Sequence, residues 1–298
     1  LFADEDLEFL NVFAAQAAIS LENARLHEKM LQNARFEQEM QIARDIQTSI
    51  LPKVSDTPEY HISAFMRTAT EVGGDYYDLF MEKEPYLGVF GDVSGHGLKS
   101  GLVMMMAEVA FNAFMRYDAL RQEPLSSLYQ QINATLFNNI QGRLANRLTG
   151  HEYSAMYMTF RLFRFDKIGN FEIFGSDHAE PFICRASTGE IKTISSTGFL
   201  IGIMENAALG DESYRFSLKK DDLLVFYSDG IEEAHREPKP IKYRKHHREE
   251  FGKDRIYSLI QENRHLLPEE IIKRVIDSVD QWLHEQEDDI TLLIFKKK

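Results

Sequence analysis

Four acidic spots in the chain share one local setting. Asp75 closes the turn Val72-Gly73-Gly74-Asp75, and Asp92 ends the apolar run Leu87-Gly88-Val89-Phe90-Gly91, just before Val93-Ser94-Gly95-His96-Gly97. Asp229 ends the run Leu223–Ser228 and precedes Gly230, while Asp288 and Asp289 open Ile290-Thr291-Leu292-Leu293-Ile294. An aspartate at the mouth of a strand is, taken singly, a turn former or helix cap. Four such spots, three beside glycines that let backbone come close, form another kind of pattern, because clustered carboxylates repel unless a cation sits among them. Cys184 is the only cysteine, so no thiolate zinc site and no intrachain disulfide can form. An oxygen-rich set suits hard ions such as Mg²⁺ or Mn²⁺. A carboxylate bridging two such ions would generate a hydroxide and clamp a phosphoryl group.

Other motifs are weaker. Gly97-Leu98-Lys99-Ser100 lacks the spacing of a phosphate loop, and Ser94 lacks the G-x-S-x-G frame of a nucleophile elbow. His246 and His247 have no cysteine partners for zinc. The stretch His235–Lys253 is rich in Arg, Lys and His inside an acidic protein, and Pro238 and Pro240 make it a loop. It is either solvated or a docking surface for an acidic or phosphorylated partner.

Composition narrows the function class. The 298 residues carry 34 basic and 47 acidic side chains, a net charge of −13, which argues against binding nucleic acid. A single cysteine fits a reducing, cytoplasmic compartment. No apolar run approaches the roughly 20 residues of a membrane span. The chain begins with Leu1 and reads as a piece of something longer.

The elements that must position the aspartates follow from periodicity. No Gly or Pro occurs before Pro52. Leu7, Leu10, Ala14, Ala17, Leu21, Ala24 and Leu31 step by three or four, the seam of a coiled-coil helix. The seam weakens at Glu28, Arg35 and Gln38 and resumes as Met40, Ala43, Ile46 and Ile50, a stripe expected to pack on the following domain and to bias the geometry around Asp75. If helical throughout, residues 7–51 span roughly 67 Å at about 1.5 Å per residue, so a parallel homodimer through this helix is expected. Strands are predicted at Tyr60–Arg67, Tyr86–Asp92, Met156–Phe165, Phe171–Phe174, Pro181–Arg185, Leu223–Ser228 and Ile290–Phe295. Helices are predicted at Leu98–Arg116, Leu125–Gln141, Lys253–Asn263 and Pro268–Glu285. Strands come in runs, so the expected class is α+β with largely antiparallel sheet. The chain divides into residues 1–51 and residues 52–298.

At these same residues a resemblance emerges. Ala43-Arg44-Asp45-Ile46-Gln47 with Leu51-Pro52, then Glu71–Asp78, resembles the entry to a bacterial PPM-type serine/threonine phosphatase domain of the SpoIIE/RsbU branch. Gly91–Gly97, Tyr227–Ala234, Phe251-Gly252 with Arg255, and Asp288-Asp289-Ile290-Thr291 follow in the family's order. Residues 1–31, with Glu22-Asn23-Ala24-Arg25-Leu26, resemble the closing helix of a GAF sensor domain. The resemblance implies an α-β-β-α sandwich with two Mn²⁺ or Mg²⁺ ions between the sheets. It implies that Asp92 bridges both ions, that the Val93 carbonyl joins one, and that Asp75 acts through that ion or its waters. Asp229 and Asp288 would hold the second ion, with Asp289 the alternative. The implied reaction is in-line hydroxide attack on a phosphoserine or phosphothreonine of a protein substrate, with an anti-sigma-factor antagonist as the expected partner and the N-terminal sensor as regulator. Where the family has an Ala-Gly-His turn, this chain reads Gly175-Ser176-Asp177-His178, so His178 ranks below the aspartates and reads as a structural turn residue. The competing class is a pseudophosphatase that keeps the fold as a binding module; the complete carboxylate set favours the enzyme. A two-metal nuclease shares the carboxylate logic but not the charge.

Overall fold

The computed structural model describes residues 4–144, 156–207, 212–237 and 248–298. Helix α1 (Asp4–Ile50) is followed by β1 (Tyr60–Arg67), β2 (Tyr76–Phe80), β3 (Tyr86–Val93), α2 (Leu98–Met115), the single turn α3 (Asp118–Arg121) and α4 (Leu125–Asn139), which runs into a π-helical turn. Then come β4 (Met158–Phe165), β5 (Asn170–Ser176), β6 (Phe182–Cys184), β7 (Ile191–Thr193), β8 (Tyr214–Ser217) and β9 (Leu223–Tyr227). The chain closes with α5 (Asp229–Glu232), α6 (Lys253–Asn263), α7 (Pro268–Trp282) and β10 (Ile290–Lys297). Chain contacts define two units, Leu1–Ile46 and Gln47–Lys298. The division falls one helical turn before the Pro52 boundary read from the sequence.

The second unit is built from two five-stranded sheets, in the orders β1-β10-β9-β6-β7 and β2-β3-β4-β5-β8, with all neighbours antiparallel. The period of two in each strand explains why the apolar runs are continuous. In β9, Leu223, Val225 and Tyr227 pack under α6 and α7, while Leu224 and Phe226 face the other sheet. In β3, Leu87, Val89 and Val93 pack under α2 and α4, while Tyr86 and Phe90 face inward. Between the sheets Phe163 stacks on Phe226 at 4.8 Å. The result is helices, sheet, sheet, helices, the α+β sandwich that the resemblance implied.

Short elements escaped the sequence reading. β7 and β8 are three and four residues long and largely uncovered, too short for periodicity to mark them as strands. Helix α2 is 18 residues long and apolar enough to cross a membrane by length and composition. Its Val103, Met104, Ala107 and Phe111 are instead packed in the core over the second sheet.

Candidate metal centre

The inward rows of both sheets end in carboxylates. Asp75 continues the row of Tyr77 in β2, Asp92 that of Phe90 in β3, and Asp289 and Thr291 that of Leu293 in β10. Neighbouring backbone fixes the loops that carry them. Asp92 N–H donates to Thr159 Oγ1 at 2.9 Å, and Val93 N–H donates to the Gly74 carbonyl at 3.3 Å. Ser228 Oγ donates to the Asp289 carbonyl at 3.0 Å and accepts from Thr291 N–H at 2.8 Å, so the β9–α5 turn and the start of β10 are stitched together. Thr291 Oγ1 in turn donates to Asp75 Oδ2 at 2.5 Å. Four chain segments thus meet at one mouth between the sheets.

Asp75 is 1% exposed, and its Oδ1 has no hydrogen-bond partner among the described residues. A buried carboxylate oxygen without a donor is costly unless a cation serves it. Gly74 keeps the approach open: a Cβ there would lie 2.8 Å from the Val93 carbonyl oxygen and 3.1 Å from Asp92 Oδ1. Burial, with Asp92 and Asp289 close by, pushes the Asp75 carboxyl well above the usual carboxylate range. Burial likewise raises Asp92 to about 7, and raises Asp288. His178 Nδ1 lies 3.2 Å from Asp229 Oδ2 and 3.7 Å from Asp92 Oδ2, and these two carboxylates push its imidazole up to about 10. An orphaned buried oxygen, an open glycine cradle and an oxygen-rich donor set fit divalent cations.

The family model for Stage II sporulation protein E (SpoIIE) matches residues 83–298. The chain belongs to the SpoIIE family. Protein IcfG of Synechocystis is 27% identical over 277 residues, 86% of this chain and 41% of that protein. The phosphoserine phosphatase RsbU of Bacillus subtilis is 23% identical over 269 residues, 87% of this chain and 70% of RsbU. The chain therefore spans less than half the length of the first of these relatives. Among solved structures, the SiaA-PP2C domain of Pseudomonas aeruginosa superposes with a TM-score of 0.66 at 18% identity, covering 89% of this chain and 98% of that domain. The catalytic domain of the serine threonine protein phosphatase PstP, solved with two manganese ions, gives a TM-score of 0.51 at 12% identity, covering 80% and 98%.

Within this SpoIIE-family chain the expected residues divide into two groups. Asp92, Asp229 and Asp288 act on one another electrostatically, and Asp75 is joined to them through Asp92. Asp289 is spent on backbone: its Oδ1 accepts from Ala69 N–H at 2.7 Å, and its Oδ2 accepts from Gly74 N–H at 2.6 Å and Asp75 N–H at 3.4 Å. His178 is not merely a turn residue but stands against Asp92 and Asp229. The departure from Ala-Gly-His made it a weaker site candidate than the aspartates, and only the fold shows where the ring points. Gln47, quoted in the entry motif without a role, is 1% exposed and bonded to Gly73. Ile46, expected in the packing stripe, is 52% exposed. Of the basic stretch, Lys239, Lys242, Arg244 and Lys245 lie outside the described residues. Arg236 sits over the Trp282 ring at 5.2 Å, and Arg248 is engaged by the Glu287 carboxylate.

Proposed function

We propose that residues 47–298 form a metal-dependent phosphoprotein phosphatase whose substrate is a phosphoserine or phosphothreonine on a small regulatory protein of the anti-sigma-factor-antagonist type. The observation that carries this reading is the convergence, at one mouth between the sheets, of the loops that carry Asp75, Asp92, Asp229 and Asp288, where Asp75 keeps a buried oxygen without a donor among the described residues. The name of RsbU and the manganese-loaded PstP catalytic domain support it. Two bound Mn²⁺ or Mg²⁺ ions would supply activation of water and neutralisation of phosphoryl charge. Asp92, which acts electrostatically on Asp75 and on which Asp229 and Asp288 act, would hold both ions, and the Val93 carbonyl would join one of them. Asp289 does different work, holding the Gly74–Asp75 backbone so that Asp75 stays aimed at the centre.

Hydrolysis of para-nitrophenyl phosphate and of a phosphoserine protein, with Mn²⁺ and with EDTA, tests the proposal. Metal-dependent turnover of both is expected. Metal binding without turnover would make the chain a binding module, nucleic-acid cleavage would make it a nuclease, and activity only on a second-messenger nucleotide would sink the substrate class.

The same reading covers the N-terminal helix. Phe9, Phe13, Leu21, Met30 and Leu31 on α1 are each more than half exposed, an apolar surface that pairing with a second copy would cover. In this reading a GAF-type sensor preceding the helix sets the phosphatase through it, in the cytoplasm.

A further inference from the structure

The turn after β5 is built in a way that the phosphatase reading leaves unexplained. Arg161, fully buried on the inward row of β4, makes an ion pair with Asp177, Nε to Oδ2 at 2.5 Å. Its other guanidinium nitrogens donate to the Ser195 carbonyl and to Ser196 Oγ, both at 3.2 Å. Ser196 Oγ also accepts from Asp177 N–H at 3.4 Å. Gly175, at φ +124°, lets β5 turn here over the Phe160 carbonyl. A buried ion pair is expensive to desolvate, and this one stands immediately behind His178.

That anchored turn delivers an imidazole nitrogen to two carboxylates. His178 Nδ1, a carboxylate oxygen of Asp92 and one of Asp229 all lie within 4.8 Å of one another. The nitrogen is 3.2 Å and 3.7 Å from the two oxygens. Ligand atoms each about 2.1 Å from one ion sit about 3.0–3.4 Å apart in adjacent positions and about 4.2 Å apart across the ion, so the 3.2 Å pair has the spacing of one coordination shell and the 3.7 Å pair needs a shift of only a few tenths of an ångström to join it. The Tyr157 ring, edge-on to the imidazole at 6.4 Å between centroids, covers its flank.

We propose that His178, through Nδ1, is a metal ligand together with Asp92 and Asp229, giving one ion of the centre a mixed nitrogen and oxygen donor set. The proposal rests on the reading of the carboxylates as a metal centre. Coordination through Nδ1 needs the neutral imidazole with its proton on Nε2, so any proton on Nδ1 is released to solvent when the ion binds. An imidazole ligand favours Fe²⁺ or Zn²⁺ over Mg²⁺, which prefers oxygen donors. The alternative is that His178 is only a counter-cation, displaced when an ion arrives.

Electron spin-echo spectroscopy of the 298-residue chain loaded with Mn²⁺ separates the two, because a coordinated imidazole nitrogen modulates the manganese echo directly. The expected result is a strong ¹⁴N modulation in the unaltered chain that disappears in His178→Gln while Mn²⁺ still binds. Calorimetric titration with each metal alone should show Zn²⁺ affinity in His178→Gln falling by about tenfold or more, and Mg²⁺ affinity falling much less. Bound Mn²⁺ without nitrogen modulation in the unaltered chain overturns the proposal and leaves the metal centre standing. Modulation that survives in a folded His178→Gln overturns it too. Failure of the unaltered chain to bind Mn²⁺ overturns the metal-centre reading itself. If the variant fails to fold, absence of modulation in the unaltered chain still overturns the proposal.

Discussion

Gln47 and Gly73 grip each other at both ends of one amide. Gln47 Nε2 donates to the Gly73 carbonyl at 2.6 Å, and Gly73 N–H donates to Gln47 Oε1 at 3.0 Å. The next two backbone N–H groups, of Gly74 and Asp75, donate to Asp289. The last turn of α1 therefore holds the loop that carries Asp75 through a pair of buried hydrogen bonds.

Gln47→Ala should leave the Gly73 N–H and carbonyl buried without partners, a loss of about 1–3 kcal/mol. The expected outcome is a lower melting temperature and a higher Mn²⁺ concentration for half-maximal phosphatase activity, with turnover largely restored at saturation. Unchanged Mn²⁺ dependence would show that the loop holds its shape without the glutamine.

Asp92→Asn should abolish turnover, and it should also stabilise the metal-free protein. Asp92 titrates at about 7 in the fold against an ordinary value of 3.8, and Asp75 and Asp288 are shifted in the same direction. The folded chain then holds more protons than the unfolded chain across that window. Stability in EDTA should therefore fall as pH rises from about 4 to about 7. Melting curves in EDTA at pH 8 should place Asp92→Asn a few degrees above the unaltered chain. A lower melting temperature would contradict the repulsion argument.

The adjacent aspartates should separate by readout. Asp288→Asn is expected to lose metal affinity and activity while melting near the unaltered temperature. Asp289→Ala removes the acceptor of three backbone N–H groups and should cost about 3 kcal/mol of stability, since bonds to a charged acceptor contribute about 1.5–3 kcal/mol each and the loop relaxes in part. Denaturant unfolding checks both. Equal destabilisation by the two would merge their roles.

Deleting residues 1–33 removes most of the exposed apolar surface of α1 and keeps Gln47. Light scattering should report a monomer, or a much weaker dimer, with altered basal activity at saturating Mn²⁺. A truncated chain that stays dimeric with unchanged kinetics would reduce the helix to a spacer.

Residues whose part in the structure is local were legible in the sequence. The β1 run Tyr60–Arg67 and the α6 run Lys253–Asn263 appear at the bounds that periodicity predicted, because their apolar pattern and flanking breakers are properties of neighbours along the chain. The carboxylates at the strand mouths were legible for the same reason: each is an aspartate at the end of its own apolar run. The sequence could not say which of the paired carboxylates faces backbone. Asp288 and Asp289 differ by one position, and in a strand one position reverses the direction of the side chain. Only the packing of β10 against the Gly74 loop turns Asp289 toward backbone N–H groups. His178 shows the converse. The turn preceding it departs from the family's pattern, yet a buried Arg161–Asp177 pair, 16 residues apart in the chain, brings its ring to Asp92 and Asp229. That placement depends on the pairing of β4 with β5 and on the closure of two sheets. Both are long-range contacts, whose partners no local stretch of sequence names.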